Sequence, residues 1–221
     1  HQNHNDRVNS AGFSVGTHVF YSPDNWNGFY IAGAANVGFD ENHSKRRIAI
    51  SDYRRTAKGH YTSVGASGLA ALGKDFYAGN VSFGPIVTAE YGVTHREGFT
   101  ERGGDSVNLR IKGGSEDTFA TTVGGHLSGF SRTETGLRLA ANLTAGWKHE
   151  FTRSGYTTTA TFAGYPGTEF ETRTERGARD GFVIQGTASL QSPRRRVFAN
   201  LTSGYAHDTG FNVGFEAGFR F

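Results

Sequence analysis

The final segment of the sequence, residues 210–221, constrains the fold more than any other stretch. Apolar and polar residues alternate strictly along it, and an apolar residue ends the chain. The apolar positions are Phe211, Val213, Phe215, Ala217, Phe219 and Phe221. Alternation with a period of two is typical of a β-strand that has one apolar and one polar face. Because terminal residues fray unless other structure holds them, the pattern predicts a final strand that is paired within a sheet.

Similar alternation recurs along the chain, which predicts nine strands of about ten residues each. Strands of this length cross a bilayer when they are tilted. The predicted strands begin near Phe13, Trp26, Tyr61, Val81, Phe119, Leu137, Phe182, Val197 and Phe211.

The predicted connections between these strands alternate in length. Long polar connections cover residues 40–59, 94–117 and 153–178, and short turns lie between them. Outer-membrane barrels show this pattern because their long loops lie at one end and their short turns at the other. The predicted fold class is therefore all-β, an antiparallel up-and-down transmembrane β-barrel. A further strand is expected at residues 157–162, within the longest connection.

Composition is compatible with a barrel and excludes several other classes. The mean hydropathy is −0.49, and no apolar run reaches the roughly 18 residues that a membrane helix needs. The absence of cysteine excludes disulfides and cysteine-ligated metals. A net charge of +3 is too small to indicate a nucleic-acid partner.

No catalytic, cofactor or metal site is predicted. Residues 12–16 match the Gly-x-Ser-x-Gly pattern of hydrolases, but they lie in a predicted strand with no helix after it. The histidines are scattered without the spacing of a metal site. One alternative is an enzyme whose active site lies in the long loops. Its candidate residues are Asp105, Glu116, Asp117, Asp180 and His207.

Four segments together resemble the C-terminal translocator barrel of autotransporters, the family of type V secretion. They are residues 97–104, 145–151, 161–170 and 218–221. The resemblance covers residues 11–221 and leaves residues 1–10 as an outer loop or tail. It implies a barrel of twelve strands, of which this chain would supply the last nine. An open sheet would expose two edges to lipid, so we expect a fragment or a partner that completes the barrel.

The resemblance implies an integral protein of the Gram-negative outer membrane that anchors an N-terminal passenger and exports it to the cell surface. It implies no enzymatic activity. The implied partners are the passenger, the membrane lipid and lipopolysaccharide, and the outer-membrane assembly machinery. That machinery would recognise the last strand through Phe215, Phe219 and Phe221. The alternative from another class is a small outer-membrane pore or loop-displaying adhesin without a passenger.

Two further sets of residues follow from the predicted strands. Charged residues on the polar parity are expected to line the lumen, and aromatic residues near strand ends are expected at the membrane interfaces. The expected lumenal residues are Glu90, Arg138, Lys148, Glu150, Glu216 and Arg220. The expected interface aromatics are Trp26, Tyr91, Trp147 and Tyr205. Basic loop residues such as Arg46 and Arg55 could bind lipopolysaccharide phosphates, or only face solvent.

Overall fold

The computed structural model describes residues 6–50, 52–152, 156–174, 179–192, 197–206 and 210–219. Almost all of them lie in antiparallel strands, apart from two short 3-10 turns at Asp24–Trp26 and Asp105–Val107. No helix in the described residues is long and apolar enough to cross a membrane. The strands are β1 (Arg7–Tyr21), β2 (Phe29–Ile50), β3 (Tyr53–Lys74), β4 (Phe76–Ala78), β5 (Val81–Arg96), β6 (Phe99–Thr100), β7 (Leu109–Ile111), β8 (Gly114–Arg132), β9 (Arg138–Glu150), β10 (Tyr156–Phe162), β11 (Phe170–Thr174), β12 (Asp180–Ser192), β13 (Val197–Ala206) and β14 (Gly210–Phe219).

The main sheet confirms the predicted all-β, up-and-down architecture. Its order is β1-β2-β3-β5-β8-β9-β12-β13-β14, so each strand pairs with the next long strand of the chain, and the short β4 pairs beside β5. Those nine strands are the nine that the alternation predicts. Within the described residues, β1 and β14 each pair with one neighbour, and the sheet forms a curled half-barrel.

The connection between β2 and β3 differs from its prediction. Residues 40–59 were expected to form an exposed loop, but this expectation is wrong, because both strands continue to a tight turn. Each strand has 22 residues, paired from Phe29 with Lys74 to Ile50 with Tyr53. At about 3.3 Å per residue the hairpin is roughly 70 Å long. It therefore projects beyond β5, which pairs with β3 only as far as Ser63, whereas β1 follows β2 as far as Lys45. The first strand also begins earlier than predicted, at Arg7.

A second, four-stranded sheet lies at the same end and has the order β11-β10-β7-β6. Its strand β10 confirms the extension expected at residues 157–162. The segment that leads into this sheet covers the edge of β3, where Glu97 donates its backbone N–H to Thr62 and Lys58 exchanges two backbone hydrogen bonds with Arg102. We call β6, β7, β10 and β11 the small sheet.

Pro85 lies within β5, although proline has no N–H to donate and tends to interrupt strand pairing. The structure shows an interruption on one side of β5. Phe83 pairs with Phe76 of β4, whereas Ile86 pairs with Gly73 of β3. On the other side β5 pairs continuously with β8, including Pro85 opposite Gly125. The change of partner at Pro85 lets β4 continue the edge where β3 ends.

Candidate functional site

One face of the main sheet carries exposed apolar side chains in continuous rows across the strands. The clearest row crosses six strands, with each residue directly opposite the next. It consists of Ile31, Leu72, Val87, Val123, Trp147 and Phe182, each between 44% and 53% exposed. A protein in water buries such a surface, whereas the outside of a membrane barrel displays it to lipid. We call this the apolar face.

The opposite face is concave, and we call it the concave face. The hydroxyl of Tyr30 on β2 lies 3.4 Å from Nδ1 of His126 on β8. Two strands, β3 and β5, lie between them, so a flat sheet would separate the two backbones by about 14 Å. The contact therefore requires strong curvature towards the face that carries both side chains.

Three of the predicted lumenal residues lie together on the concave face. The ammonium of Lys148 is 3.9 Å from the carboxylate of Glu90, although β8 separates their strands. Glu150 lies on the same face and accepts the backbone N–H of Phe119. The residues between these charges are small and buried, Ala120 opposite both Glu90 and Glu150, and Thr122 opposite Lys148. Small residues on the middle strand let the charged side chains reach one another.

The other predicted lumenal residues lie apart from this cluster. Arg138 is at the opposite end of β9, with its guanidinium 5.5 Å from the ring centre of Phe130. Glu216 pairs with Asn200 at a register position of the concave face. Arg220 lies outside the described residues. The lumenal role of all six residues remains a prediction. Placement on the concave face makes that role geometrically possible for Glu90, Arg138, Lys148 and Glu150.

A buried polar cluster on the concave face was missed by sequence reasoning. Nε2 of His126 lies 2.7 Å from Oδ1 of Asp75, and Nδ1 of the same ring contacts the hydroxyl of Tyr30. The Tyr30 ring occupies the space where Gly73 lacks a side chain, since an added Cβ there would collide with it. His126 and Asp75 are only 9% and 14% exposed. The three residues of the cluster come from distant segments of the chain, so no local sequence motif identifies them.

The four aromatic residues expected at the membrane interfaces are exposed. Trp26 lies in a short turn and packs edge-on against Tyr21, with ring centres 5.4 Å apart. Tyr91, Trp147 and Tyr205 lie on the apolar face, each nearer the C-terminal end of its strand. For Tyr91 and Trp147 this end leads to a long connection, whereas Tyr205 precedes the short connection to β14. All four are at least 36% exposed. This placement is compatible with two aromatic belts, which remain a prediction.

The residues expected to form the assembly signal are only partly described. Phe215 and Phe219 occupy β14 at register positions of the apolar face, opposite Leu201 and Val197. Phe221 lies outside the described residues. Their recognition by assembly machinery stays a prediction.

The segment at residues 97–104 anchors the small sheet to the β2–β3 hairpin. Glu101 is 5% exposed and accepts two hydrogen bonds from Arg46, at 3.1 and 2.6 Å. It also accepts the backbone N–H of Leu109 at 2.9 Å. The hydrogen bonds to Glu101 raise the pKa of Arg46 above its usual value. Nearby, the ring of Phe99 stacks on Tyr61 with centres 4.6 Å apart.

These contacts bear on two of the hypotheses about the loops. Arg46 and Arg55 bind Glu101 and Asp105 respectively, so both cations already have carboxylate partners. The proposed loop active site gains no support from the described acids, because Asp105 pairs with Arg55 whereas Asp180 pairs with His149 on another strand. His207 lies outside the described residues.

Comparisons with known proteins agree with this architecture. The family model of the autotransporter β-domain matches residues 1–202. Among solved structures, the chain is similar to the translocator domain of autotransporter NalP from Neisseria meningitidis, with a TM-score of 0.62 and 15% sequence identity. The similarity covers 98% of this chain and 69% of the NalP chain. A comparison with curated proteins found no match.

At 15% identity the likeness to NalP shows the fold alone, whereas the family match extends over most of the chain. The chain belongs to the autotransporter β-domain family, the translocator barrels of the Gram-negative outer membrane.

Proposed function

We propose that this chain forms the wall of a barrel that exports an N-terminal passenger to the cell surface and then anchors it there. The observation that carries the proposal is the division of the main sheet into an apolar face and a concave polar face. The first can contact lipid acyl chains. The second offers Glu90, Lys148 and Glu150 to a polar, hydrated polypeptide that passes along it.

A working barrel needs partners for both edges of the sheet. Backbone N–H and C=O groups at an open edge have no hydrogen-bond partner in lipid, and each such group costs several kcal/mol. Further strands between β14 and β1 would remove this cost. We propose that they belong to the same polypeptide, on the N-terminal side of the chain.

The connections suggest how the barrel is oriented. In outer-membrane barrels long connections face the outside and short turns face the periplasm. The β2–β3 hairpin and the small sheet would then stand on the cell surface, near lipopolysaccharide. The last strand would run towards the periplasm and present Phe215, Phe219 and Phe221 to the assembly machinery.

A display experiment tests the export proposal. A reporter protein replaces the region N-terminal to the barrel strands in the full-length protein, and intact cells are treated with an external protease. We expect the reporter to be cleaved while a periplasmic marker stays protected. A matched variant that lacks residues 210–221 should leave the reporter protected. A reporter that stays periplasmic although its barrel is folded and inserted would overturn the proposal.

A second candidate is a loop-displaying adhesin, and one observation favours it. The small sheet is held to the hairpin by the buried contact between Glu101 and Arg46, so the loops present an ordered surface. The gene upstream distinguishes the two candidates. A signal peptide, a long passenger and a linker support export. A signal peptide directly before a few additional strands supports the adhesin.

A further inference from the structure

Three potential metal ligands meet on the outer surface of the β2–β3 hairpin. His43 lies directly opposite His60, and Glu41 lies two residues before His43 on the same side of β2. The ligand atoms of the three residues all lie within 4.8 Å of one another. Sequence reasoning treated the histidines as scattered, because the two are far apart in the chain. The long hairpin, which was not predicted, brings them together.

The geometry of the three side chains is close to that of a zinc site. Nε2 of His60 is 2.7 Å from Oε1 of Glu41, and the rings of His43 and His60 have centres 4.7 Å apart. Tetrahedral zinc places ligand atoms about 3.4 Å from one another, with bonds of about 2.0–2.1 Å to nitrogen. All three side chains are exposed, so small rotations about their side-chain bonds can close the remaining gaps.

We infer that Glu41, His43 and His60 form a binding site for a divalent transition metal, with Zn²⁺ as the best match. Two imidazoles and one carboxylate are a common zinc ligand set, and such a site leaves a fourth position to water or to a donor from another molecule. The carboxylate of Glu41 and the Nε2 atom of His60, which contact each other at 2.7 Å, would both become ligands of the metal.

The neighbouring charges set how tightly the metal binds. Lys45 and Lys58 form the next pair on the same face, about 7 Å along the strands. Their positive charges oppose a cation. On the other side Thr62, which lies opposite Glu41, donates its hydroxyl to the carboxylate of Glu97 and so places a second acid nearby. The two lysines and the carboxylate of Glu97 therefore act in opposite directions, so the charges around the site neither strongly favour nor strongly oppose a bound cation.

The position of the site indicates what the metal would do. Phe39, the last large apolar residue on this side of β2, lies two residues before Glu41, so the site lies where the hairpin leaves the apolar band. A bound metal would join β2 to β3 at the base of the projecting hairpin and reduce its bending there. This inference concerns the hairpin alone and does not depend on passenger export.

Metal titration of the full-length protein tests the inference. The protein is purified in detergent without a polyhistidine tag, and Zn²⁺ binding is measured by calorimetry and Co²⁺ binding by visible absorption. We expect a binding event at one ion per chain that is lost or weakened at least tenfold in His43→Gln and His60→Gln, since even residues behind metal ligands cost about 10–100-fold in affinity.

His95→Gln is the matched control, because His95 is also exposed but bonds to Ser115 outside the cluster. It should bind Zn²⁺ as the unmodified protein does. All variants are checked for a folded barrel by the mobility shift between heated and unheated samples. The inference is overturned if the folded protein binds no Zn²⁺, or if folded His43→Gln and His60→Gln bind it unchanged.

Discussion

Replacing Glu101 by Gln should detach the small sheet from the β2–β3 hairpin. The carboxylate of Glu101 is 5% exposed and accepts hydrogen bonds from Arg46 and from the backbone of Leu109. Glutamine has nearly the same volume, but its amide turns a donor towards the donors of Arg46. Breaking a fully buried ion pair costs about 3–5 kcal/mol. Arg46 is 31% exposed, so its guanidinium can bind water once the carboxylate is gone. We therefore expect the substitution to destabilise the attachment of the small sheet by about 2–3 kcal/mol, the upper part of the range for charged hydrogen bonds.

The lower stability of the attachment can be measured on intact cells as more frequent local opening of the small sheet. Opening of the small sheet exposes its strands to an external protease, and cleavage follows the population of the open state when closing is fast. A cost of about 2–3 kcal/mol raises that population roughly 30- to 150-fold, since about 1.4 kcal/mol is a factor of ten. Cleavage within the small sheet should accelerate by a similar factor.

Glu169→Gln is the matched control for this experiment. Glu169 forms an ion pair with Lys112 at 2.7 Å, but both side chains are at least half exposed. Exposed pairs contribute only about 0–1 kcal/mol, so cleavage should rise by less than roughly fivefold. If Glu101→Gln and Glu169→Gln are cleaved at the same rate, the reasoning about the buried carboxylate is refuted.

Three other substitutions test separate parts of the structure. Val87→Arg should destabilise the folded barrel by about 2–4 kcal/mol in urea unfolding, because it places a charge in lipid. Asn36→Arg, at an exposed position of the concave face, should have little effect, and equal effects would contradict the assignment of the faces. Asp75→Ala should cost about 1–3 kcal/mol in the same assay, because it removes the partner of the buried His126 ring, and an unchanged midpoint would contradict this. Deletion of Phe221 should reduce the amount of assembled barrel in the membrane, and normal assembly would count against its role as a signal.

The strand order of the main sheet could be predicted from the sequence because lipid imposes a regular pattern. A strand with lipid on one side and a polar interior on the other must alternate, and β14 does so along its length. The hairpin extension lies past the band of exposed apolar side chains. Lys45 and Arg46 occupy opposite faces there without an apolar alternation, so residues 40–59 resembled a loop.

The clusters of side chains could not be predicted because they depend on distant parts of the chain. His126 meets Asp75 and Tyr30 only through the curvature of the sheet across β3 and β5. The pair of His43 and His60 depends on the register of the long hairpin. Local patterns specify which residues share a face of one strand, but not which residues on different strands meet.

The most direct test of the account is the environment of each side chain along β5. Because the chain has no cysteine, a single cysteine can be introduced at each of residues 86–93 of the full-length protein and given a spin label. Collisions with oxygen report contact with lipid, and collisions with a water-soluble nickel complex report contact with water. We predict that residues 87, 89, 91 and 93 favour oxygen and that residues 86, 88, 90 and 92 favour the nickel complex. The reverse parity, or no alternation, would contradict a lipid-facing apolar face and a water-filled concave face.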